Sequence, residues 1–343
     1  MLRRASLAFS TLGLCLAFGL EQARADAADF FRGRTVQFYI GSAPGGGYDF
    51  FGRLIARHLG RFIPGKPNVI PVNMPGAGGL KMAGYLYSIA PKDGSALGIL
   101  AQTAPLEQAF GVPGVQFDAA RFTYIGRVAP AVEVTYTWST SATKTLEDAR
   151  QRETVMGGAS PDTNTVIYLN VLNALAGTKF KIISGYPGTA ELNVALERGE
   201  IEGTTKTWEA FRAENGAWLD KGQVRIMLQY ALKKAHDLQD IPLMIDLGRT
   251  PEEREALRFF ASGNELGRGA MTTPDVPAER TAALREAFDA MVQDPEFLAE
   301  AAQRKIDVDP MGGEDVAALV RAILSAPPAV VERAKRAREG KRL

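Results

Sequence analysis

The sequence predicts an α/β protein built as two blocks with a cleft between them, and three observations predict it. Short apolar runs alternate with helical patterns along most of the chain. The alternation restarts after Ile125-Gly126-Arg127-Val128. Glycine-rich loops follow the first two strands, at Gly45-Gly46-Gly47 and at Gly76-Ala77-Gly78-Gly79.

Arg3 and Arg4 precede an apolar run from Ala5 to Leu20, and Ala23-Arg24-Ala25 places small residues where a signal peptidase reads. Residues 1–25 are expected to be a secretory signal peptide, which directs the chain to the periplasm. A membrane anchor would need about 20 apolar residues, and Ser6, Ser10 and Thr11 dilute a shorter run. Cys15, the single cysteine, leaves with this segment, so neither a disulfide framework nor a thiol nucleophile is expected. Removing 25 of 343 residues leaves 318, enough for about two domains. It also removes three arginines and one glutamate, turning a formal charge of +1 into −1, a balance that offers nothing to nucleic acid.

Thr35 to Ile40 reads as a buried strand and Phe50 to Phe62 as a helix with Phe50, Leu54, Ile55 and Leu59 on one side. A strand at Val69 to Asn73, a helix at Gly79 to Ser88 and a strand at Ala96 to Leu100 continue a β-α-β-α-β order, which favours a parallel sheet with ligand loops at the strands' carboxyl ends. The second block has strands at Val132 to Trp138 and Thr154 to Gly157, then a helix from Asn164 to Leu175. A strand at Lys181 to Ser184, a helix at Ala190 to Arg198 and a strand near Ile201 to Thr204 complete it. Val224 to Gln229 begins a return path, and helical patterns at Pro277 to Val292 and Glu314 to Ile323 form a C-terminal layer. The expected lobes are 26–128 with 243–343, and 129–242, joined by crossover segments near Ile125 to Ala131 and Gln229 to Pro242.

Gly45, Gly46 and Gly47 lack the Cβ that would keep a ligand from the backbone N–H groups. A helix that starts just after them adds free N–H groups and the positive end of its dipole, together an anion cradle. Asp49 is placed to cap that helix. The loop from Met74 to Gly79 repeats the device. Neither loop has the spacing of a nucleotide-phosphate or dinucleotide motif.

These motifs together resemble the Bug or TctC family, the extracytoplasmic solute-binding proteins of tripartite tricarboxylate transporters. The resemblance runs through Ala43-Pro44-Gly45-Gly46-Gly47-Tyr48-Asp49, Asn73 to Gly79, Ala90-Pro91-Lys92-Asp93-Gly94 and Thr123-Tyr124-Ile125-Gly126. It continues at Gly157 to Ser160, Gly185 to Ala190, Gly199 to Gly203 and Thr273 to Pro277, in order over nearly the whole mature chain. It implies a two-lobe type II periplasmic-binding fold with a small organic carboxylate in the interlobe cleft, no cofactor and no metal. The partners it implies are membrane transporter subunits of the tripartite tricarboxylate type, for a receptor that is a monomer.

Carried over residue by residue, the ligand loops are Ala43 to Asp49, with Gly78 in the second glycine loop, and Ala159, Ser160, Thr163 and Asn164 opposite. Thr103, Tyr186 and Gly188 match further cleft positions. The sequence departs from the family at Tyr48, where a threonine is common, and a tyrosine there either narrows the cleft or lies over the helix start. Pro161-Asp162-Thr163-Asn164 and Glu202 are further departures. Arg268, between Gly267 and Gly269, is either a bidentate carboxylate ligand at the cleft mouth or a surface arginine. Trp208, beside Thr205 and Thr207, is a candidate aromatic wall, and Tyr168 a weaker one.

An enzyme is not expected, since His58 and His236 are the only histidines and neither accompanies a nucleophile. Two alternatives stay open: a sensor that presents its ligand to a membrane kinase, and a carboxylate-utilising hydrolase.

Overall fold

The computed structural model describes residues 25–45, 47–161 and 163–341. The expected signal peptide, apart from Ala25, lies outside the described residues, as do Gly46 and Asp162. Two mixed sheets form the frame. The first holds β1 (Thr35–Ile40), β2 (Asn68–Asn73), β3 (Ala96–Ile99) and β4 (Thr123–Arg127). The second holds β5 (Glu133–Trp138), β6 (Thr154–Gly158), β7 (Phe180–Ser184), β8 (Gly203–Thr207) and β9 (Val224–Tyr230). The chain then returns to the first sheet with β10 (Gly269–Thr272) and the two-residue β11 (Met311–Gly312). Strand orders are β11-β4-β10-β3-β1-β2 and β7-β6-β8-β5-β9.

The expected parallel pairing is found where helices cross over: β1 with β2 and β3, and β6 with β7 and β8. Strands that arrive from the other lobe or by a hairpin-like path run antiparallel, as β10 and β5 do, so neither sheet is purely parallel. Helix Gly47–Leu59 covers the first sheet with Phe51, Leu54, Ile55 and Leu59, while Phe50 is only half-buried.

The helices that were not anticipated include Trp208–Asp220, Pro251–Leu266, Pro295–Gln303 and Pro328–Arg338. Pro251–Leu266 matters most, because it moves a lobe boundary. It opens on a capping box, in which the Thr250 hydroxyl accepts from Glu253 N–H and the Glu253 carboxylate accepts from Thr250 N–H. Its Ala256, Leu257, Phe259 and Phe260 join the core beneath the second sheet, with Ala334 and Ala337 of the last helix. The second passage between sheets therefore falls at Leu266 to Arg268 and not in Gln229 to Pro242. The first, between β4 and β5, covers residues 128–132.

The two passages run side by side. Ala131 N–H donates to Asn264 O at 2.9 Å, Arg268 N–H to Ala129 O at 3.0 Å and Val128 N–H to Arg268 O at 3.3 Å. Gly267 has φ 50°, and a Cβ on it would sit 2.2 Å from Ala129 O, so only glycine lets the passages touch. Arg127, 2% exposed, braces the same region through Glu265 and Asp309.

Candidate functional site

The carboxyl ends of β1, β2 and β3 open into a pocket of about 350 Å³ whose lining includes Gly41, Ser42, Tyr48, Gly78, Ile99 and Ala101. The two glycine loops pack on each other beneath it: a Cβ on Gly41 would lie 2.8 Å from Gly79 Cα, and Gly79 has φ 96°. The Ser42 hydroxyl is buried without a hydrogen-bond partner.

The first loop is held from below by Asp49. The helix begins at Gly47, so Asp49 sits in its first turn and not at the cap position expected for it. Its carboxylate accepts from Gly45 N–H at 2.9 Å, from Asn73 Nδ2 at 2.7 Å and from Arg53 Nε at 2.9 Å. Burial works against ionisation, but the bonds from Arg53, Gly45 and Asn73 overcome it and hold this carboxyl down to about 2. Asn73 Nδ2 also donates to Ser42 O at 3.0 Å, which ties the loop to the end of β2. Asp49 is thus a clamp for the loop, and the Gly45 N–H is already engaged.

Gly47 is different. It needs no positive φ, and a Cβ there would meet only Arg268 Nη2, at an ordinary 3.7 Å. Beside it Tyr48 accepts from Gln102 N–H at 2.9 Å through its hydroxyl and donates to Gln102 Oε1 at 3.3 Å. Gln102 Oε1 also accepts from Arg268 Nη1 at 3.1 Å, and Gln102 Nε2 donates to Asn264 Oδ1 at 2.9 Å. Arg268 is no surface residue: it is 5% exposed, with its guanidinium carbon 4.7 Å from the Tyr48 ring centroid and 5.3 Å from that of Phe51. Its Nε has no partner, and among the described residues no carboxylate forms an ion pair with it.

The second lobe faces this arginine with Glu133, 4% exposed, which accepts from Asn164 Nδ2 at 2.7 Å. Burial, reinforced by the charge of Glu209, pushes Glu133 up to about 7 despite Asn164 and Arg268. Burial likewise raises Glu209, whose Oε2 is buried and unpartnered. Tyr168 donates its hydroxyl to Asn264 Oδ1 at 2.6 Å, so it is part of the same interlobe network and not a free wall.

The remaining expected residues spread apart. Asn164 joins the buried cluster, but Ser160 is exposed, and Thr163 donates to Ser160 O at 2.6 Å within its own loop. Ala159 N–H is taken by Thr165 Oγ1 at 3.0 Å. Tyr186 packs half-buried on the second lobe's core, and Gly188 starts helix Thr189–Glu197. Thr103 starts helix Ala104–Ala109 without a side-chain cap, and Ala43 is exposed. Trp208 is buried, stacks on Phe211 and donates its indole N–H to Asp237 at 2.9 and 3.0 Å. Its ring lines a second groove of about 690 Å³ between the lobes, away from the glycine loops. There His236, Asp237 and Asp307 bring potential ligand atoms within 4.8 Å of one another, but Arg212 pairs with both carboxylates, at 3.0 and 2.7 Å. The result is an ion-pair bridge between the lobes.

Reasoning from sequence missed Ser42, Gln102, Glu133, Glu209 and Asn264. Ser42 and Gln102 had a usable signal, since each lies just past a strand's carboxyl end. Glu133 had another, as an acid within the apolar run from Val132 to Trp138.

Two facing α/β lobes, joined by paired passages and open at the strands' carboxyl ends, define a two-lobed solute-binding fold. Solved structures share it. A TctC solute-binding protein from Polaromonas superposes with TM-score 0.67 at 18% identity, covering 88% of this chain and 98% of that one. The periplasmic binding protein BugD gives 0.64 at 18% identity over 90% and 98% of the two chains. Rpa4515 of R. palustris, solved with adipate, gives 0.63 at 19% identity over 88% and 97%. No family model matches the chain, and no curated protein matches it by sequence.

Proposed function

We propose that this chain is a periplasmic solute-binding protein of the Bug/TctC type that captures a small organic carboxylate and delivers it to a tripartite tricarboxylate-type transporter. The observation that carries this reading is the pocket between the glycine loops, with the unpartnered Ser42 hydroxyl at its wall. Two helix starts, Gly47 and Leu80, add N–H groups and positive dipole ends beside it, a setting that favours an anion. The adipate bound by Rpa4515 on the same fold supports a carboxylate as the ligand class. The lobes close on it about the paired passages at 128–132 and 266–268. The chain acts as a monomeric receptor.

A thermal-shift series with mono-, di- and tricarboxylates tests this. A ligand that binds only the folded state raises the unfolding midpoint in proportion to the logarithm of its concentration. At least one acid should do so while its uncharged amide does not. A panel in which no carboxylate shifts the midpoint overturns the reading.

A further inference from the structure

The glycine-loop pocket and the buried guanidinium of Arg268 are neighbours that do not meet. Among the described residues, none that lines the pocket carries a formal charge, and Arg268 is not one of them. Tyr48 touches both: it lines the pocket, and the guanidinium lies over its ring. That ring is braced. Its hydroxyl is fixed to the Gln102 backbone and side chain, and Gln102 is fixed in turn to Asn264. Behind it, Arg268 keeps an unpartnered Nε and no ion pair at 5% exposure, a costly state for a cation.

We propose that Tyr48 is the specificity-determining partition of the site: it confines the ligand to the uncharged pocket, which takes a short monocarboxylate, and shuts a second carboxylate off from Arg268. The inference rests on the carboxylate reading above and adds the charge and size of the ligand. The volume agrees, since about 350 Å³ is near the small end of ligand pockets, roughly 300–1,000 Å³. Without the ring, the pocket would run on to a guanidinium suited to bidentate capture of a carboxylate.

Calorimetric titration with matched pairs, butyrate against succinate and hexanoate against adipate, reads the partition directly. The parent should bind the monoacid of a pair at least about tenfold tighter than the diacid. Tyr48→Phe keeps the ring and should keep that order. Tyr48→Thr should shift the ratio towards the diacid by at least about tenfold, and adding Arg268→Gln should abolish the shift. Thermal unfolding of each variant establishes that it is folded, and the parent's ratio needs no variant at all. A parent that prefers the diacid, or a folded Tyr48→Thr protein with the parent's ratio, overturns this inference alone. If no acid binds the parent, the carboxylate reading falls and takes this one with it.

Discussion

The two glycine loops look alike in sequence and do different work. In the second, Gly79 takes φ 96°, a backbone angle that disfavours any side chain, and its Cα lies so close to Gly41 that Gly41 can hold none. In the first, Gly47 has an ordinary backbone and open space, and its neighbourhood is organised by Asp49 from beneath. A glycine that the chain's own geometry requires is thus paired with one that it does not. The second kind points to what approaches from outside, because glycine at a helix start costs propensity without repaying it in packing.

The largest test of this contrast is Gly41→Val, which drives a Cβ into the backbone of the opposite loop. It should cost about 3 kcal/mol or more in urea unfolding, and a loss near zero would show the loops free to separate. Asp49→Asn comes next, at about 1–3 kcal/mol, because it weakens the bonds that hold the first loop. Its pH signature follows from the depressed pKa. In the parent this stabilisation is complete above the unfolded value of 3.8 and is lost as pH falls towards about 2. The Asn variant should lack that part of the acid slope, and two parallel curves would remove Asp49 from its clamp role. Gly47→Val is the smallest in stability, within about 1 kcal/mol of the parent, yet it should weaken ligand binding by at least about tenfold. If that variant unfolds early and binds normally, the two loops are alike after all.

Much of the frame was legible because apolar runs end in punctuation. β1 is Thr35–Ile40 as expected, and helix Asn164–Leu175 has its expected bounds. Helix Pro251–Leu266 was not, because its buried face mixes Ala256, Gly263, Asn264 and Glu253 with the apolar residues and blurs the period. Its Thr-Pro-Glu-Glu start was the signal to use. At the site, the first loop and its helix start could be read locally. The contact of Arg268 with Gln102 and Tyr48 could not, since it joins positions 166 and 220 residues apart and depends on where the chain recrosses. Trp208 failed for a related reason: Asp237, beyond the next strand, turns its indole away from the glycine loops.

Gly267 has one more consequence, in the currency of inherited variation. Every other amino acid carries the Cβ that would strike Ala129 O, Pro130 Cα and Ala131 N at 2.2 to 2.8 Å. Every missense change of that codon therefore wedges apart the passages that join the lobes, whatever the chemistry of the new residue. No conservative replacement exists there, and in a population of variants selected for a folded protein the position should be emptied of all of them alike, alanine included.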